Sequence, residues 1–333
     1  MKAYFIKRYG KSDVLTFGEL PEPALREDDV LVQVHAAGVN PLDNKIRDGE
    51  FKLLLPYKMP LILGNDLAGV VLRVGARVRR FKVGDEVYAR PDEDRIGSFA
   101  EFIAVQEDAL ALKPRNLTME EAASMPLAAL TAWQTLVEKG QLKKGQKVLI
   151  HAGSGGVGTI AIQLAKHLGA TVATTASAAN IEFLKDLGAD IVIDYKTEDF
   201  SIKLKDYDLV LDTQGGATLK KSLGVLKAGG KLIGLAGPPD PDFARQRGAN
   251  GVVGLVMYLL SYGIRRAARR KGVSYAFHFM SASGRQLGEI TSLIEAGHIR
   301  PVVERIFSFA ETKLALDYVE TGRTKGKAVI KVR

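Results

Sequence analysis

The sequence predicts an α/β fold in which a β-rich domain precedes a doubly wound parallel sheet, and three observations carry that prediction. Up to about residue 118 the chain reads as short strand-like runs cut by turn residues. From Lys147 onward strand and helix patterns alternate, as they do where helices cover both faces of a parallel sheet. Between Lys147 and Gly169, in KVLIHAGSGGVGTIAIQLAKHLG, an apolar run, a glycine-dense turn and an amphipathic helix follow one another directly.

In the first part, strands are expected at Leu31 to Ala36, Ala68 to Val74, Glu86 to Ala89 and Phe99 to Val105, with Pro21-Glu22-Pro23 and Gly84-Asp85 as turn signals. Thr118 and Glu121 have the spacing of a capping box, so a helix is expected from there through Ala122 to Lys139. Strands follow at Lys147 to Ala152, Thr171 to Thr175, Ile191 to Asp194, Leu209 to Asp212 and Lys231 to Leu235. Helices at Asn180 to Leu187 and Ala217 to Leu226 fall between them. Beyond the proline-rich 238–241 come a basic segment and then a final helix, strand, helix and strand ending in Lys327 to Val332. The expected boundaries are 1–120 for the β-rich domain, 121–270 for the parallel-sheet domain and 271–333 for a return that completes the first.

Composition narrows the function classes. The 333 residues give room for two domains, and 46% hydrophobic with 26% charged content is ordinary for a globular enzyme. A formal charge of +9 would attract a phosphorylated cofactor, nucleic acid or an anionic membrane without choosing among them. With no cysteine, disulfides, thiolate metal sites and cysteine nucleophiles are excluded. The N-terminus MKAYFIKRYG alternates like a strand and lacks signal-peptide features, so a cytoplasmic location is expected. The longest apolar candidate for a span, Val252 to Ile264, falls short of about eighteen residues and contains Gly254, Ser261 and Gly263.

The glycine-dense turn carries the chemistry. Gly153, Gly155 and Gly158 satisfy G-x-G-x-x-G between a predicted strand and a predicted helix, the context that makes this motif a dinucleotide fingerprint. Glycine lets the backbone bend and approach a diphosphate, and the free N–H groups and positive dipole end of the helix favour that anion.

Longer stretches now bear on the whole chain: AAGVNPLDNKIRDG at 36–49, LILGNDLAGVVLRVG at 61–75, FKVGDEVYA at 81–89, GSFAEFIAV at 97–105, EAASMPLAALTAW at 121–133 and HAGSGGVG at 151–158. Together they resemble the medium-chain dehydrogenase/reductase superfamily, and within it the zinc-independent quinone or enone reductases. The runs GVSYAFHFMSASG at 272–284 and GHIRPVVERIFSF at 297–309 are similar to the reticulon-interacting mitochondrial oxidoreductases and their bacterial relatives. The resemblance implies a GroES-like catalytic domain and a Rossmann nucleotide domain. Zinc members carry Cys where this chain has Asn40 and His where it has Asn65; amides are poor zinc ligands, so no metal is expected. The acidic Asp92, Glu93 and Asp94 read as a solvated turn.

An NAD enzyme of this fold needs an acidic residue about 20 positions after the first glycines. The corresponding residues, Thr174 to Asn180, contain none, which admits the 2′-phosphate of NADPH and makes NADH the lesser expectation. In the quinone reductases a Ser, a Lys and a Tyr surround that phosphate; Ser177 and Tyr195 match two of these, Asn180 stands at the Lys position, and Lys196 is nearby.

By the same resemblance, Ser154, Gly155, Gly156 and Val157 would hold the diphosphate, and Asn40, Thr131, Leu235, Ala236, His278, Phe279 and Met280 would border the nicotinamide. Hydride would pass from NADPH to a quinone or to the β-carbon of an α,β-unsaturated ketone, with the Asn40 amide or a backbone N–H stabilising the developing oxyanion. Tyr57 and Lys58 read either as proton donors or as surface residues. His151 reads as a satisfied core imidazole, and His278 as the one histidine placed to meet cofactor or substrate. The apolar and basic run 252–271 reads preferentially as a core or subunit-contact helix, with peripheral membrane contact as the alternative. Nucleic-acid binding has no supporting element, and a homodimer follows from family likeness. Two other readings stay open: a 2-enoyl thioester reductase of the same fold, and a cofactor-binding interaction protein with little turnover.

Overall fold

The computed structural model describes residues 1–52, 55–246, 248 and 251–333. The chain forms two compact units, Met1–Leu130 with Ser281–Arg333, and Thr131–Met280.

In the first unit a seven-stranded sheet is built on the long strand Asp29–Val39. Its β-branched residues Val30, Val32 and Val34 point into a core with Leu67, Val71, Val87, Phe99 and Phe307, each fully buried aliphatic chain contributing about 1.5–3 kcal/mol. Leu67–Val74 pairs antiparallel on one side of this strand, and on the other the C-terminal strand Lys327–Lys331 returns antiparallel, setting Ala328 opposite Val39. That return brings Lys327 beside the end of the first long strand. A smaller sheet of Leu15–Glu19, Lys2–Ile6 and Leu61–Ile62 lies in the same unit. The expected strand Phe99 to Val105 starts later, at Phe102–Gln106, because Phe99 hydrogen-bonds Leu63 and Ala100 bridges to Ala3 of the smaller sheet.

The second unit is a six-stranded, wholly parallel sheet in the order Ile191–Asp194, Thr171–Ala176, Lys147–Ile150, Tyr207–Asp212, Leu226–Gly234, Ser274–Phe277. In sequence order that is 3-2-1-4-5-6, so the direction of winding reverses between Lys147–Ile150 and Tyr207–Asp212. The crevice beyond the carboxyl ends at this point is where open α/β sheets bind ligands.

The helix expected from Ala122 to Lys139 is interrupted. Met119–Ala123 starts at the Thr118 capping box, with Glu121 N donating to Thr118 Oγ1 at 3.2 Å and Thr118 N to Glu121 Oε2 at 2.9 Å. A new helix then begins at Pro126, whose ring excludes the preceding turn from a continuous ladder, and after Trp133 the winding loosens to a π-helix over Gln134–Lys139. The helix expected through Leu226 stops at Ser222, since Leu226 already belongs to a strand. The run at 252–271, expected as a core or subunit-contact helix, forms the helix Gly251–Arg270: Met257, Ile264 and Ala268 pack into the core of the unit and Ser261 is buried with them, whereas most of its large apolar residues are exposed.

Candidate active site

The glycine-rich turn leaves Lys147–Ile150 at the switch point and enters the helix Gly156–His167. Its three glycines have different reasons to be there. A Cβ on Gly153 would lie 2.1 Å from Thr174 Oγ1, and one on Gly158 would lie 2.4 Å from the Ala152 carbonyl oxygen; both glycines serve packing within the turn. A Cβ on Gly155 would meet only the Ala152 carbonyl oxygen, at 3.5 Å. The space where that Cβ would stand is therefore open, and Gly155 immediately precedes the first helical N–H groups, which have no partners within the helix. Ser154, Gly155, Gly156 and Val157 are all partly exposed around it.

At the end of the next strand, Ser177 and Asn180 are tied together, Asn180 Nδ2 donating to Ser177 Oγ at 3.2 Å. Tyr195 leaves the neighbouring strand, its N–H held by the Ala176 carbonyl at 3.1 Å, and its side chain is 62% exposed. Asp194, the carboxylate in register with Ala176, is turned back on its own loop, accepting from Lys196 N at 3.1 Å and Thr197 Oγ1 at 3.3 Å. The strand end thus presents hydroxyl and amide groups and keeps its one adjacent carboxylate occupied.

On the other side of the switch point, Asp212 ends its strand fully buried. Its Oδ1 accepts from Gln214 N at 3.0 Å and Gly215 N at 2.6 Å, its Oδ2 has no partner, and burial pushes its pKa up to about 6. Leu235 follows from the adjacent strand, donating to the Asp212 carbonyl at 2.8 Å, with Ala236 next along the chain. His278 begins the segment that continues into Phe279 and Met280, its N–H bonded to the Gly234 carbonyl at 3.0 Å. It is 6% exposed with neither ring nitrogen partnered, and burial, then the Lys139 ammonium, lowers its pKa to about 3, so the imidazole is neutral. His151 differs: its ring nitrogens lie 3.1 Å from Thr175 Oγ1 and 2.9 Å from Ser222 Oγ, the satisfied core imidazole the sequence predicts. Thr131 is buried in the helix Pro126–Trp133, its carbonyl accepting from Thr135 Oγ1 at 2.7 Å.

In the first unit, Asn40 ends the long strand at the head of the helix Pro41–Arg47, within a buried polar network. Its Nδ2 donates to Asp66 Oδ2 at 2.9 Å, and its Oδ1 accepts from Lys327 Nζ. Lys327 Nζ also donates to Asp66 Oδ2 at 3.1 Å, while Asp66 Oδ1 accepts from Leu127 N at 2.7 Å. Asp43 accepts from Asn65 Nδ2 and from Asn40 N, each at 2.7 Å. Burial pushes Asp43 up to about 7 against the pull of these donors. As a zinc site this set fits poorly: Asn40 and Asn65 offer amides, and Asp66 Oδ2 is already taken by the Lys327 ammonium and the Asn40 amide. Among the described residues no group of three or more His, Cys, Asp or Glu converges as a metal site, Asp92, Glu93 and Asp94 included. Tyr57 donates to the Glu93 carbonyl and burial raises its pKa, while Lys58 is exposed.

Sequence reasoning missed Asp66, Lys327 and Asp212 as site residues. Asp66 lies within the quoted LGNDLAG and Asp212 closes an apolar run just before Gly215-Gly216, so both carried a signal; Lys327 had none, since its strand was read only as the last of the chain.

Comparison with known proteins agrees with this architecture. Residues 26–115 match the alcohol dehydrogenase GroES-like domain, and residues 187–330 the zinc-binding dehydrogenase family. The mitochondrial NAD(P)H oxidoreductase RTN4IP1 of Danio rerio is 38% identical, over 100% of this chain and 91% of its own length. The chloroplastic NADPH-dependent alkenal/one oxidoreductase of Arabidopsis thaliana is 37% identical, over 99% of this chain and 79% of its length. The solved structure of a quinone oxidoreductase from Coxiella burnetii superposes with a TM-score of 0.85 at 33% identity, covering 100% of this chain and 99% of the other. The expected cytoplasmic location is overturned by these relatives, since the Danio rerio protein and its mammalian counterparts are designated mitochondrial. With a GroES-like domain, a parallel sheet in the order 3-2-1-4-5-6 and relatives matched over 99–100% of this chain, the chain belongs to the medium-chain dehydrogenase/reductase superfamily of oxidoreductases, in its quinone and enone oxidoreductase family.

Proposed function

We propose that the protein is an NADPH-dependent, metal-free reductase of quinones or α,β-unsaturated carbonyl compounds. The observation that carries this reading is the pairing of open space at Gly155, at the head of the helix Gly156–His167, with a strand end, Ser177 to Asn180, that bears no carboxylate. Ser177, Asn180 and the exposed Tyr195 hydroxyl suit a 2′-phosphate, whereas a ribose diol would call for an acid at that place. The relatives' names, NAD(P)H oxidoreductase, NADPH-dependent alkenal/one oxidoreductase and quinone oxidoreductase, support both the cofactor and the acceptor class.

Bound at the glycine-rich turn, NADPH would supply a hydride from C4 of its nicotinamide. This chain's residues do the rest. The switch-point segments Leu235–Ala236 and His278–Met280 border the nicotinamide, and the neutral, unpartnered His278 imidazole supplies a hydrogen-bonding group there without a charge. The Asn40 amide orients the acceptor's carbonyl. Lys327 withdraws electron density through Oδ1, which strengthens the remaining Nδ2 hydrogen as a donor to the developing oxyanion. The product oxygen takes its proton from water. A homodimer is part of the proposal, and the edge strand Ser274–Phe277, paired on one side only among the described residues, supplies an edge for it.

Loss of nicotinamide absorbance with NADPH and a panel of quinones, enones and enoyl thioesters tests the reading. Turnover is expected with the first two classes; turnover confined to thioesters, or none at all, would sink it. Asn40→Ala is expected to lower kcat at least about tenfold with the KM for NADPH unchanged, the loss of one oxyanion donor.

A further inference from the structure

Helix Gly251–Arg270 carries two stripes of opposite character. Met257, Ser261, Ile264 and Ala268 recur at helical spacing and are buried. At 100° per residue, Val252, Leu255, Val256 and Leu259 lie on the far side, exposed by 73%, 59%, 49% and 63%, with Leu260 beside them at 60%. The same outer row continues through Gly263 into Arg266 and Arg270, both exposed. Tyr258 and Tyr262 flank the row, and the Arg265 guanidinium lies 4.4 Å from the centre of the Tyr258 ring. From Phe243 to Gly288 the sequence contains no Asp or Glu, while Arg265, Arg266, Arg269, Arg270 and Lys271 crowd the helix end. An apolar face of this size is not needed by the fold and needs a cover.

We propose that this helix docks the protein on an anionic lipid bilayer, lying in the plane of the interface with Val252 to Leu260 among the acyl chains and the arginines on the headgroups. Charge and apolarity on one exposed row fit an interface that is itself half acyl chain and half phosphate. Tyrosines at the margin have an apolar body and a polar tip, which suits the same depth. No described helix is long and apolar enough to cross a membrane, so the contact is peripheral. A second copy fits the surface worse. Antiparallel pairing of this helix with itself lays the apolar rows on the partner's arginines, parallel pairing sets arginine against arginine, and no carboxylate in the segment relieves either. Docking stands apart from the choice of hydride acceptor, and its readout is lipid binding rather than turnover.

The test is sedimentation of the full chain with vesicles of phosphatidylcholine alone and of equal parts phosphatidylcholine and phosphatidylglycerol. The protein is expected to pellet with the mixed vesicles and to be released as salt rises toward about 0.5 M, where the Debye length shrinks to a few ångströms. Leu255→Gln, Leu259→Gln and Leu260→Gln together should weaken binding more than about a hundredfold, from the apolar area withdrawn. Arg266→Glu with Arg270→Glu should weaken it more than about tenfold, since each charge near the surface is worth about 1 kcal/mol. All five side chains are exposed, so unchanged circular dichroism and unchanged oligomeric state by light scattering are expected in both variants. Absence of pelleting with mixed vesicles, equal binding to phosphatidylcholine alone, or a wild-type dimer that the leucine variant turns into monomers would overturn the proposal.

Discussion

Lys327→Met is expected to destabilise the protein by about 3–5 kcal/mol, the cost of leaving a buried carboxylate without its partner. The Lys327 side chain is 7% exposed and the Asp66 side chain 0%, with their charges 3.1 Å apart. Methionine fills much the same volume as the lysine stem, so packing changes little and the effect isolates the charge. What remains around Asp66 is the Asn40 amide and the Leu127 N–H, donors that solvate an anion without neutralising it. Asp43, already pushed up to about 7 with the Lys327 ammonium among the groups holding it down, loses that help too. Urea denaturation should show a lower midpoint at an unchanged slope. Adding Asp66→Asn should recover more than half of the loss, because both charges are then gone, and the double-mutant cycle gives the coupling. A single-variant cost below about 1 kcal/mol would mean that the ammonium does not compensate Asp66. Turnover should fall with it, since the Asn40 amide loses the cation that polarises its carbonyl oxygen.

How far the sequence discloses this site depends on how local each signal is. The glycine-rich turn is local: its glycines, the strand before it and the helix after it lie within two dozen residues, and each obeys its own periodicity. Ile191–Asp194 and Glu86–Ala89 were legible to the residue for the same reason. The long helix after Thr118 was not, because its apolar periodicity runs through Pro126 unbroken while the missing proline N–H breaks the ladder. The Asn40 network illustrates the opposite limit. Replacement of cysteine and histidine by amides is visible in two short stretches, but the cation that fills their neighbourhood arrives from residue 327 by strand pairing with 328 opposite 39. No periodicity encodes a contact across 287 residues of chain. The exposed row on Gly251–Arg270 is a third case: an apolar block reads the same from sequence whether its face is inward or outward, and only the buried stripe at Met257, Ser261, Ile264 and Ala268 decides which side the core takes.

Gly155→Ala and Gly158→Ala are expected to separate cofactor binding from folding within a single turn. Gly155 has a φ of −81° and a ψ of 173°, extended backbone that alanine adopts freely, and its Cβ would find only the Ala152 carbonyl oxygen at 3.5 Å. Folding should therefore be retained or slightly improved, by about 0.4–1 kcal/mol, through the loss of unfolded-state freedom. In the proposed cradle the added methyl group occupies space left open at the head of the helix and crowds the diphosphate. NADPH affinity should fall about a hundredfold, the equivalent of one or two charge-assisted hydrogen bonds. Gly158 differs because its Cβ would lie 2.4 Å from the Ala152 carbonyl oxygen and 2.7 Å from Gly153 Cα, both backbone atoms that cannot swing aside. That variant should lose about 1–3 kcal/mol of stability as well as affinity. Fluorescence titration with NADPH alongside thermal unfolding reads both quantities. Wild-type affinity in Gly155→Ala would place the diphosphate elsewhere, and the assignment of this turn as the cofactor cradle would be wrong.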